Sequence, residues 1–200
     1  MNMRIIKELI LSCSVIALIS LMPLAFAKPL VATFAGGCFW CVEADFDKVK
    51  GVLTTVSGYT GGNVTNPSYE QVSAGGTGHY EAVQVYYDPN QVSYETLVDY
   101  FWRHIDPTDA SGQFCDKGDQ YRTAIFYSNG TQRKIAETSK AALLTSGQFE
   151  AVVTAILPAK TFYPAEEYHQ EFYLKNPVRY RYYRFTCGRD QRIKKLWEGP

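Results

Sequence analysis

Two cysteines close to the start of the chain, Cys38 and Cys41, are the residues best placed to do chemistry. They lie in the segment GGCFWC at residues 36–41, directly after a short apolar, β-branched run. In this pattern a strand ends, two glycines permit a tight turn, and Cys38 stands where a helix begins. Unpaired N–H groups and the helix dipole at a helix start lower the pKa of a thiol and favour its thiolate. The position therefore predicts that Cys38 is a nucleophile.

The residues between the two cysteines help to distinguish the kinds of cysteine site. A C-x-x-C pair at a helix start is typical of thioredoxin-like redox proteins. Here the intervening residues are Phe39 and Trp40, and large aromatics suit the wall of a pocket for a small apolar group. A four-thiolate zinc site would also need Cys115 and Cys187, which do not form a second C-x-x-C. We therefore predict no metal.

The elements that must position Cys38 alternate along the chain. Apolar periodicity and turn residues predict a strand, a helix, two strands, a helix and a strand, at 30–35, 38–50, 52–59, 81–87, 93–104 and 121–127. The order β-α-β-β-α-β is that of a ferredoxin-like, split β-α-β unit. A helix at 131–144, a strand at 152–157 and a helix at 165–174 extend it, and 176–200 is predicted to be irregular. We therefore expect an α+β fold.

The first 27 residues are predicted to be a secretory signal peptide. Arg4 and Lys7 precede an almost wholly apolar stretch at 9–26, and the sequence AFA at 25–27 matches a cleavage site. An uncleaved membrane anchor is the alternative, because the apolar stretch approaches spanning length. We expect cleavage, which leaves residues 28–200 as a single catalytic domain. Such a protein is exported, and is periplasmic or secreted, where disulfides persist.

Composition limits the kinds of partner. The 200 residues include 20 basic and 20 acidic side chains, and a net charge of zero argues against nucleic-acid or anionic-membrane binding. The tract RYRYYR at 179–184 is basic and aromatic, as in some single-strand binders. In an uncharged, exported protein we instead expect its tyrosines to pack over the domain and to border the active site. Five cysteines are too few for a disulfide scaffold of this size.

Several motifs in register extend the cysteine pair into a family pattern. They are GCFWCVEA at 37–44, GYTGG at 58–62, NPSY at 66–69, GHYEAV at 78–83, and Asp116 followed by QYR at 120–122. From about residue 30 to 188, the chain resembles peptide methionine sulfoxide reductase A. The resemblance implies a two-layer α/β fold on a ferredoxin-like core. It also implies that a monomer without a bound cofactor reduces the S epimer of methionine sulfoxide, free or in proteins.

The resemblance assigns the nucleophile and the residues that hold the substrate. Cys38 would attack the sulfoxide sulfur, release methionine and become a sulfenic acid. Phe39 and Trp40 match the residues that hold the methyl group of the substrate. A thioredoxin-like dithiol from outside the chain would finally restore the cysteines.

The resemblance also assigns the groups around the sulfoxide oxygen. Glu81 matches an acid that protonates this oxygen as it departs, a step that requires a carboxylic acid with a raised pKa. The hydroxyls of Tyr69 and Tyr121 match two donors to the same oxygen. Asp116 matches an acid that orients groups or water in the site.

The sequence offers more than one candidate for the cysteine that resolves the sulfenic acid. Cys187, in a TCG segment near the chain end, matches the usual resolving cysteine of the family. Cys41 stands where a glycine is more common in the family, and a helix start permits it to close directly onto Cys38. Cys115 is either structural or a relay thiol.

Two other classes of function stand beside the reductase. A periplasmic thiol-disulfide oxidoreductase would use Cys38 and Cys41 on protein disulfides and would not need Glu81. A non-enzymatic secreted domain would bind through its aromatic surface and would hold its four remaining cysteines in two structural disulfides.

Overall fold

The computed structural model describes residues 28–198 of the chain. The predicted signal peptide at residues 1–27 and its cleavage site lie outside these residues. Between residues 28 and 198, no helix combines the length and the apolar character that crossing a bilayer requires.

In this part of the chain, a mixed sheet of six strands forms the centre of the fold. Its strands, together with two short ones that pair separately, are β1 (Leu30–Gly36), β2 (Val52–Thr60), β3 (Tyr80–Tyr87), β4 (Gly112–Gln113), β5 (Asp116–Lys117), β6 (Thr123–Tyr127), β7 (Ala155–Pro158) and β8 (Tyr163–Pro164). The order across the sheet is β7-β6-β1-β3-β2-β8, and β4 pairs with β5. β6 and β7 run parallel, whereas the other neighbouring strands run antiparallel.

Seven α-helices of the described residues connect these strands or follow the sheet. They are α1 (Phe39–Phe46), α2 (Tyr69–Ser73), α3 (Tyr94–Trp102), α4 (Gly130–Thr145), α5 (Phe172–Lys175), α6 (Pro177–Thr186) and α7 (Arg189–Trp197). Ser93 caps α3, because its side chain accepts a hydrogen bond from the backbone N–H of Thr96 at 3.1 Å.

The predicted split β-α-β unit is confirmed. The four central strands lie in the order β6-β1-β3-β2. β3 runs antiparallel to both β1 and β2, so these two strands are parallel to each other and β3 lies between them. α1 joins β1 to β2, and α3 lies between β3 and β6 in the chain. The α+β class predicted from the sequence is therefore correct.

Aromatic packing fixes α1 and α3 against one face of the sheet. The ring centroid of Phe34 in β1 lies 4.9 Å from that of Phe46 in α1 and 5.0 Å from that of Phe101 in α3. All three rings are buried, and each buried ring of this size contributes about 1.5–3 kcal/mol to folding. Phe46 is the last residue of α1, so these contacts hold the far end of this helix, together with α3, against the sheet strand that leads to Cys38.

The prediction that residues 176–200 are irregular is wrong for the part that the structure describes. α6 begins with Pro177, a residue favoured in the first helical turn. α7 follows Gly188, whose φ of 69° makes the turn between the two helices. Val178 and Phe185 of α6 are exposed, so this helix lacks the buried apolar stripe by which a helix is detected in a sequence.

The predicted helix at 165–174 is divided into two short elements. A 3-10 helix covers Glu167–His169, and α5 begins at Phe172. Glu171 between them has a φ of 50°, in the left-handed region that interrupts an α-helix. In addition, α2 lies where the sequence pattern predicts no element. It begins with a capping box, in which Ser68 and Gln71 bond to each other's backbone N–H.

Candidate active site

Cys38 stands at the turn between β1 and α1. Its carbonyl accepts hydrogen bonds from the backbone N–H groups of Cys41 at 3.1 Å and Val42 at 3.3 Å, so it is the residue from which α1 starts. Gly37 before it has a φ of 85°, which a residue without a Cβ adopts at low cost. The predicted position of Cys38 at a helix start is confirmed.

The environment of Cys38 differs from the one that the sequence predicts. Its side chain is 8% exposed. Burial raises the pKa of its thiol, and the hydrogen bond with Cys41 and the carboxyl of Glu81 raise it further. The pKa of Cys41 is lowered, first by the hydrogen bond from Cys38 and also by Arg189. Burial and neighbouring groups therefore outweigh the effect of the helix start, and Cys38 rests as a thiol.

A cavity of about 70 Å³ opens beside Cys38, and we call it the site cavity. Its lining contains all the residues that the family motifs predict as catalytic or substrate-binding, together with one further tyrosine: Cys38, Phe39, Trp40, Tyr69, Glu81, Asp116, Tyr121 and Tyr183. The fold thus brings together side chains from α1, α2, β3, β5, α6 and the 3-10 helix Asp119–Tyr121. Cys41 and Cys187 are not among the lining residues.

Glu81 in β3 is a buried carboxylic acid at the start of α1. Its side chain is 2% exposed, and one carboxyl oxygen accepts a hydrogen bond of 3.0 Å from the backbone N–H of Phe39. Burial raises the pKa of Glu81 to about 8, against the opposing effect of that hydrogen bond. Glu81 is therefore mostly protonated at neutral pH, as a proton donor requires.

Tyr69 and Tyr121 present phenol groups to the site cavity. Burial raises the pKa of Tyr69 to about 12, and burial and Glu81 also raise the pKa of Tyr121. Both hydroxyls therefore keep their protons and can donate hydrogen bonds. Glu166 positions Tyr69, because its carboxylate accepts a hydrogen bond of 2.8 Å from the backbone N–H of Tyr69. The same carboxylate accepts a hydrogen bond of 2.9 Å from the hydroxyl of Tyr59.

Asp116 is joined to the C-terminal helices by Tyr183 of α6. The Tyr183 hydroxyl donates a hydrogen bond to the carboxyl group of Asp116, and burial raises the pKa of Asp116. The Tyr183 ring also packs with its edge toward Trp40, at 5.8 Å between ring centroids. Tyr183 lies in the RYRYYR tract, whose tyrosines the sequence predicts to border the site, although nothing in the sequence singles it out.

Phe39 and Trp40 form an aromatic wall on one side of the site cavity. The Trp40 indole stacks on Phe172 of α5, with the ring centroids 3.7 Å apart and the planes at 7°. Its Nε1–H donates a hydrogen bond of 3.0 Å to Nδ1 of His169. The sequence does not predict this contact, because the position of His169 in the segment EEYHQ gives no sign of it.

Arg189 of α7 supports the turn that carries Cys38. Its buried guanidinium donates to the carbonyl of Gly36 at 3.1 Å and to that of His104 at 2.8 Å. It also lies 3.7 Å from the carboxylate of Asp45 in α1. A buried cation is costly unless it is paired, so these contacts fix α7 against the turn.

The four cysteines within residues 28–198 divide into a buried pair and a disulfide near the surface. Cys38 and Cys41 are free thiols. Cys115 and Cys187 form a disulfide, which we call the outer disulfide, and Cys115 is exposed. In this structure Cys187 is therefore bonded to Cys115 and not to Cys38. Two of the four cysteines are free, which contradicts the arrangement expected of a binding domain with two structural disulfides.

Comparisons with known proteins agree with this site. The family model described as peptide methionine sulfoxide reductase matches residues 30–200. The peptide methionine sulfoxide reductase MsrA of Halalkalibacterium halodurans is 56% identical over 167 residues, which cover 83% of this chain and 95% of the relative. The structure of Mxr1 from Saccharomyces cerevisiae in reduced form is similar, with a TM-score of 0.71 and 34% identity over 76% of this chain and 87% of that one. A structure of Mxr1 in complex with Trx2 has a TM-score of 0.52 and 25% identity, and covers 72% of this chain and 85% of that one.

Proposed function

We propose that Cys38 is the thiol that accepts the oxygen in this protein, which belongs to the peptide methionine sulfoxide reductase family. Members of this family, this chain included, reduce methionine sulfoxide by a thiol mechanism. The observation that supports this role is the site cavity, where Cys38 faces Glu81, Tyr69 and Tyr121. A nucleophile, an acid and two hydrogen-bond donors converge there on a space of about 70 Å³.

The reducing step transfers one oxygen atom from sulfur to sulfur. The Cys38 sulfur attacks the sulfoxide sulfur and Glu81 gives its proton to the oxygen. The oxygen then moves to the Cys38 sulfur: a new bond between oxygen and the Cys38 sulfur forms as the bonds from the methionine sulfur to oxygen and to Cys38 break. The oxygen stays on Cys38 as a sulfenic acid, methionine leaves, and the proton from the Cys38 thiol restores Glu81. Cys38 is oxidised by two electrons and the methionine sulfur is reduced by two.

Selection of the S epimer follows from the positions that surround the sulfoxide. We propose that Tyr69 and Tyr121 hold the oxygen, whereas Phe39 and Trp40 hold the methyl group. The rest of the substrate then extends out of the cavity through its opening. With these three groups fixed, only one epimer at sulfur places its sulfur against the Cys38 thiol. Asp116 acts through its hydrogen bond with Tyr183, which closes the cavity on the side of α6.

We propose that the four cysteines act as two pairs in sequence. Cys41, the neighbour of Cys38, attacks the sulfenic acid, so that water leaves and a Cys38–Cys41 disulfide forms. An external dithiol reduces the outer disulfide, and the Cys187 thiolate then attacks the Cys38–Cys41 disulfide. Cys115 closes again onto Cys187, which leaves Cys38 and Cys41 as thiols. The structure has the cysteine oxidation states that follow this last step.

A thioredoxin-like protein is the proposed donor, and the complex of the related Mxr1 with Trx2 supports this choice. From the composition of residues 1–27, we also propose that the chain is exported to the periplasm or the exterior. We further propose that it works as a monomer. Mass spectrometry of the N-terminus of the protein from fractionated cells tests export. An N-terminus at residue 1 in a cytoplasmic fraction would contradict it.

Turnover of separated epimers tests the assignment of Cys38. The wild-type protein should form methionine from the S epimer of a blocked methionine sulfoxide, and not from the R epimer, with a dithiol as reductant. Cys38→Ser should abolish methionine formation in a single turnover, whereas Cys41→Ser and Cys187→Ser should retain it. Methionine formed by Cys38→Ser would contradict the assignment.

The alternative of a thiol-disulfide oxidoreductase is tested on the same samples. Insulin disulfide reduction that survives Glu81→Gln, with no methionine from either epimer, would favour this alternative. The burial of both Cys38 and Cys41 argues against it, because another protein's disulfide would have to reach a side chain that is 8% exposed.

A further inference from the structure

His169 lies under the aromatic wall, and the proposed reaction gives it no role. It ends the 3-10 helix Glu167–His169 and is 2% exposed. The centroid of its ring lies 5.1 Å from that of Phe39, 5.7 Å from that of Trp40 and 4.4 Å from that of Tyr69. A single imidazole therefore packs against three of the residues that line the site cavity.

The hydrogen bond between Trp40 and His169 fixes the protonation of the imidazole. An indole nitrogen donates and never accepts, so Nδ1 of His169 must accept the hydrogen bond of 3.0 Å. The ring is then neutral and carries its proton on Nε2. Nε2 is buried and has no hydrogen-bond partner among the described residues. Of the two ring nitrogens, Nδ1 is the one that bonds, and it is directed at Trp40.

We propose that His169 is a positioning residue that fixes the rotation of the Trp40 indole. It thereby sets the width of the part of the site cavity, beside Phe39 and Trp40, that receives the methyl group of the substrate. The inference rests on the proposed role of Trp40 in holding that methyl group. His169 touches the wall and not the reacting atoms, so it acts through Trp40.

The other contacts of Trp40 do not set this rotation. Phe172 stacks on the indole at 3.7 Å, and stacked rings can slide and turn in their common plane. Tyr183 meets it with its edge at 5.8 Å. The directional bond to His169 removes this freedom, because its strength falls steeply away from linear geometry.

The segment that carries His169 also holds the opposite side of the cavity. Glu166, three residues earlier, accepts the hydrogen bond from the backbone of Tyr69. Gln170, one residue later, bonds to the backbone N–H of Ser57 at 2.9 Å and to its carbonyl at 2.9 Å, which ties the segment to β2. Residues 166–170 therefore set the distance between a proposed methyl-holding residue and a proposed oxygen-holding residue.

The proposal predicts a loss of substrate binding and of size selection, with the chemical step kept. His169→Leu should raise KM for the S epimer of a blocked methionine sulfoxide about tenfold, as for a lost hydrogen bond, and change kcat less than about threefold. His169→Leu should also lower the ratio of kcat/KM for a methyl sulfoxide to kcat/KM for the corresponding ethyl sulfoxide. His169→Asn offers an acceptor close to the place of Nδ1 and should restore KM to within about threefold of the wild type.

A double-mutant cycle tests whether His169 acts through Trp40. In Trp40→Phe, which lacks the indole N–H, adding His169→Leu should leave KM unchanged. His104→Leu removes a histidine whose Nδ1 lies 2.7 Å from the carbonyl of Tyr100, outside the cavity lining, and should leave KM unchanged. Equal KM values for His169→Leu and His169→Asn would overturn the proposal, and so would a full effect of His169→Leu in Trp40→Phe.

A measurement without substrate separates this inference from the proposed reaction. In protein labelled with 5-fluorotryptophan, the ¹⁹F signal of Trp40 should shift in His169→Leu and return in His169→Asn. An unchanged signal would overturn the contact itself. A shifted signal with unchanged KM would overturn the role of Trp40 in binding, and this inference with it. Loss of all activity in Cys38→Ser bears on the proposed reaction alone.

Discussion

At the scale of single residues, the protonation of Glu81 should control the rate of oxygen transfer. The acid must hold its proton to release the oxygen, and the pKa of Glu81 is about 8. The single-turnover rate of methionine formation should therefore be level below this pH and fall about tenfold per unit above it. Glu81→Gln should lower the rate about 100- to 10,000-fold and remove the fall.

Rapid-quench measurement of methionine between about pH 6 and pH 10 checks this expectation, since the interval brackets an acid of this kind. Glu150→Gln changes an exposed carboxylate outside the cavity lining and should keep the wild-type profile. A rate that stays level through the upper half of the range in the wild type would argue against Glu81 as the acid.

Glu43 of α1 should make the stability of the fold depend on pH. It is fully buried, neither carboxyl oxygen has a hydrogen-bond partner among the described residues, and burial raises its pKa from 4.5 to about 7. In the unfolded chain the group ionises near its ordinary pKa, so the folded state loses stability as pH rises between the two values. The shift corresponds to about 3 kcal/mol above pH 7.

Glu43→Gln should remove this contribution. The variant should unfold with a larger free energy than the wild type at pH 8, by about 2–3 kcal/mol, and the difference should shrink toward pH 5. Urea unfolding under non-reducing conditions measures it. A difference that is the same at both pH values would show that the Glu43 carboxyl does not change its ionisation on folding.

At the scale of elements, the turn from β1 into α1 should tolerate no side chain at Gly37. A Cβ there would lie 2.6 Å from the Cβ of Gln113, at a φ of 85°. Gln113 cannot move aside easily, because its amide is hydrogen-bonded to both the N–H and the carbonyl of Asp106 at 2.8 Å. Gly37→Ala should therefore cost about 2 kcal/mol or more and displace Cys38.

Gly75→Ala serves as a control that separates the effect of the steric clash at Gly37 from the effect of placing alanine at a positive φ. Gly75 has a φ of 84°, yet a Cβ there would meet nothing within 4 Å. This variant should lose about 1 kcal/mol and keep its single-turnover rate, whereas Gly37→Ala should lose more than tenfold in rate. Thermal unfolding and rapid quench report the two quantities. Equal losses of rate in the two variants would mean that the contact with Gln113 does not matter.

The elements near the N-terminus could be predicted more completely than those near the C-terminus. β1 and β3 are apolar runs bounded by glycine and proline, and the capping residue Ser93 marks the start of α3. α6 has no buried apolar stripe, because Tyr180 is its one buried residue. α7 packs Leu196 and Trp197 against the core, but this short pattern stands among charged residues and predicts no helix by itself.

The candidate site could be predicted where motifs name its residues, and not where only the fold brings residues near. Glu81 and Tyr121 lie in family motifs, and the structure places both at the site cavity. Tyr183 lines the same cavity and His169 packs behind its aromatic wall, both from positions far along the chain, and a contact of this kind leaves no local pattern. The prediction of a lowered thiol pKa for Cys38 is wrong because burial and the neighbours Cys41 and Glu81 raise it, and burial in the fold is not visible in the local sequence.

At the scale of the whole molecule, reducing equivalents should enter at Cys115. This residue is exposed, whereas Cys38 and Cys41 are buried, so a donor protein can reach only the outer disulfide without opening the fold. In Cys115→Ser, steady-state turnover with a thioredoxin-type donor should fall at least about tenfold. A single turnover should be unchanged, because it uses the thiols already present.

A small dithiol serves as the comparison for the protein donor, since it can diffuse to the Cys38–Cys41 disulfide. With it, Cys115→Ser should turn over within about threefold of the wild type. Undiminished turnover of Cys115→Ser with the protein donor would remove the outer disulfide from the pathway and leave it as a structural bond.

The hydrogen bond from Arg189 to the carbonyl of Gly36 joins residues 153 positions apart. During synthesis, the segment with Cys38 is made early and α7 is made almost last. Long-range contacts of this kind form slowly and only after both partners exist. The growing chain therefore carries Cys38 for most of its synthesis on a turn that Arg189 does not yet support, and the reacting thiol takes its final position only after α7 has been made.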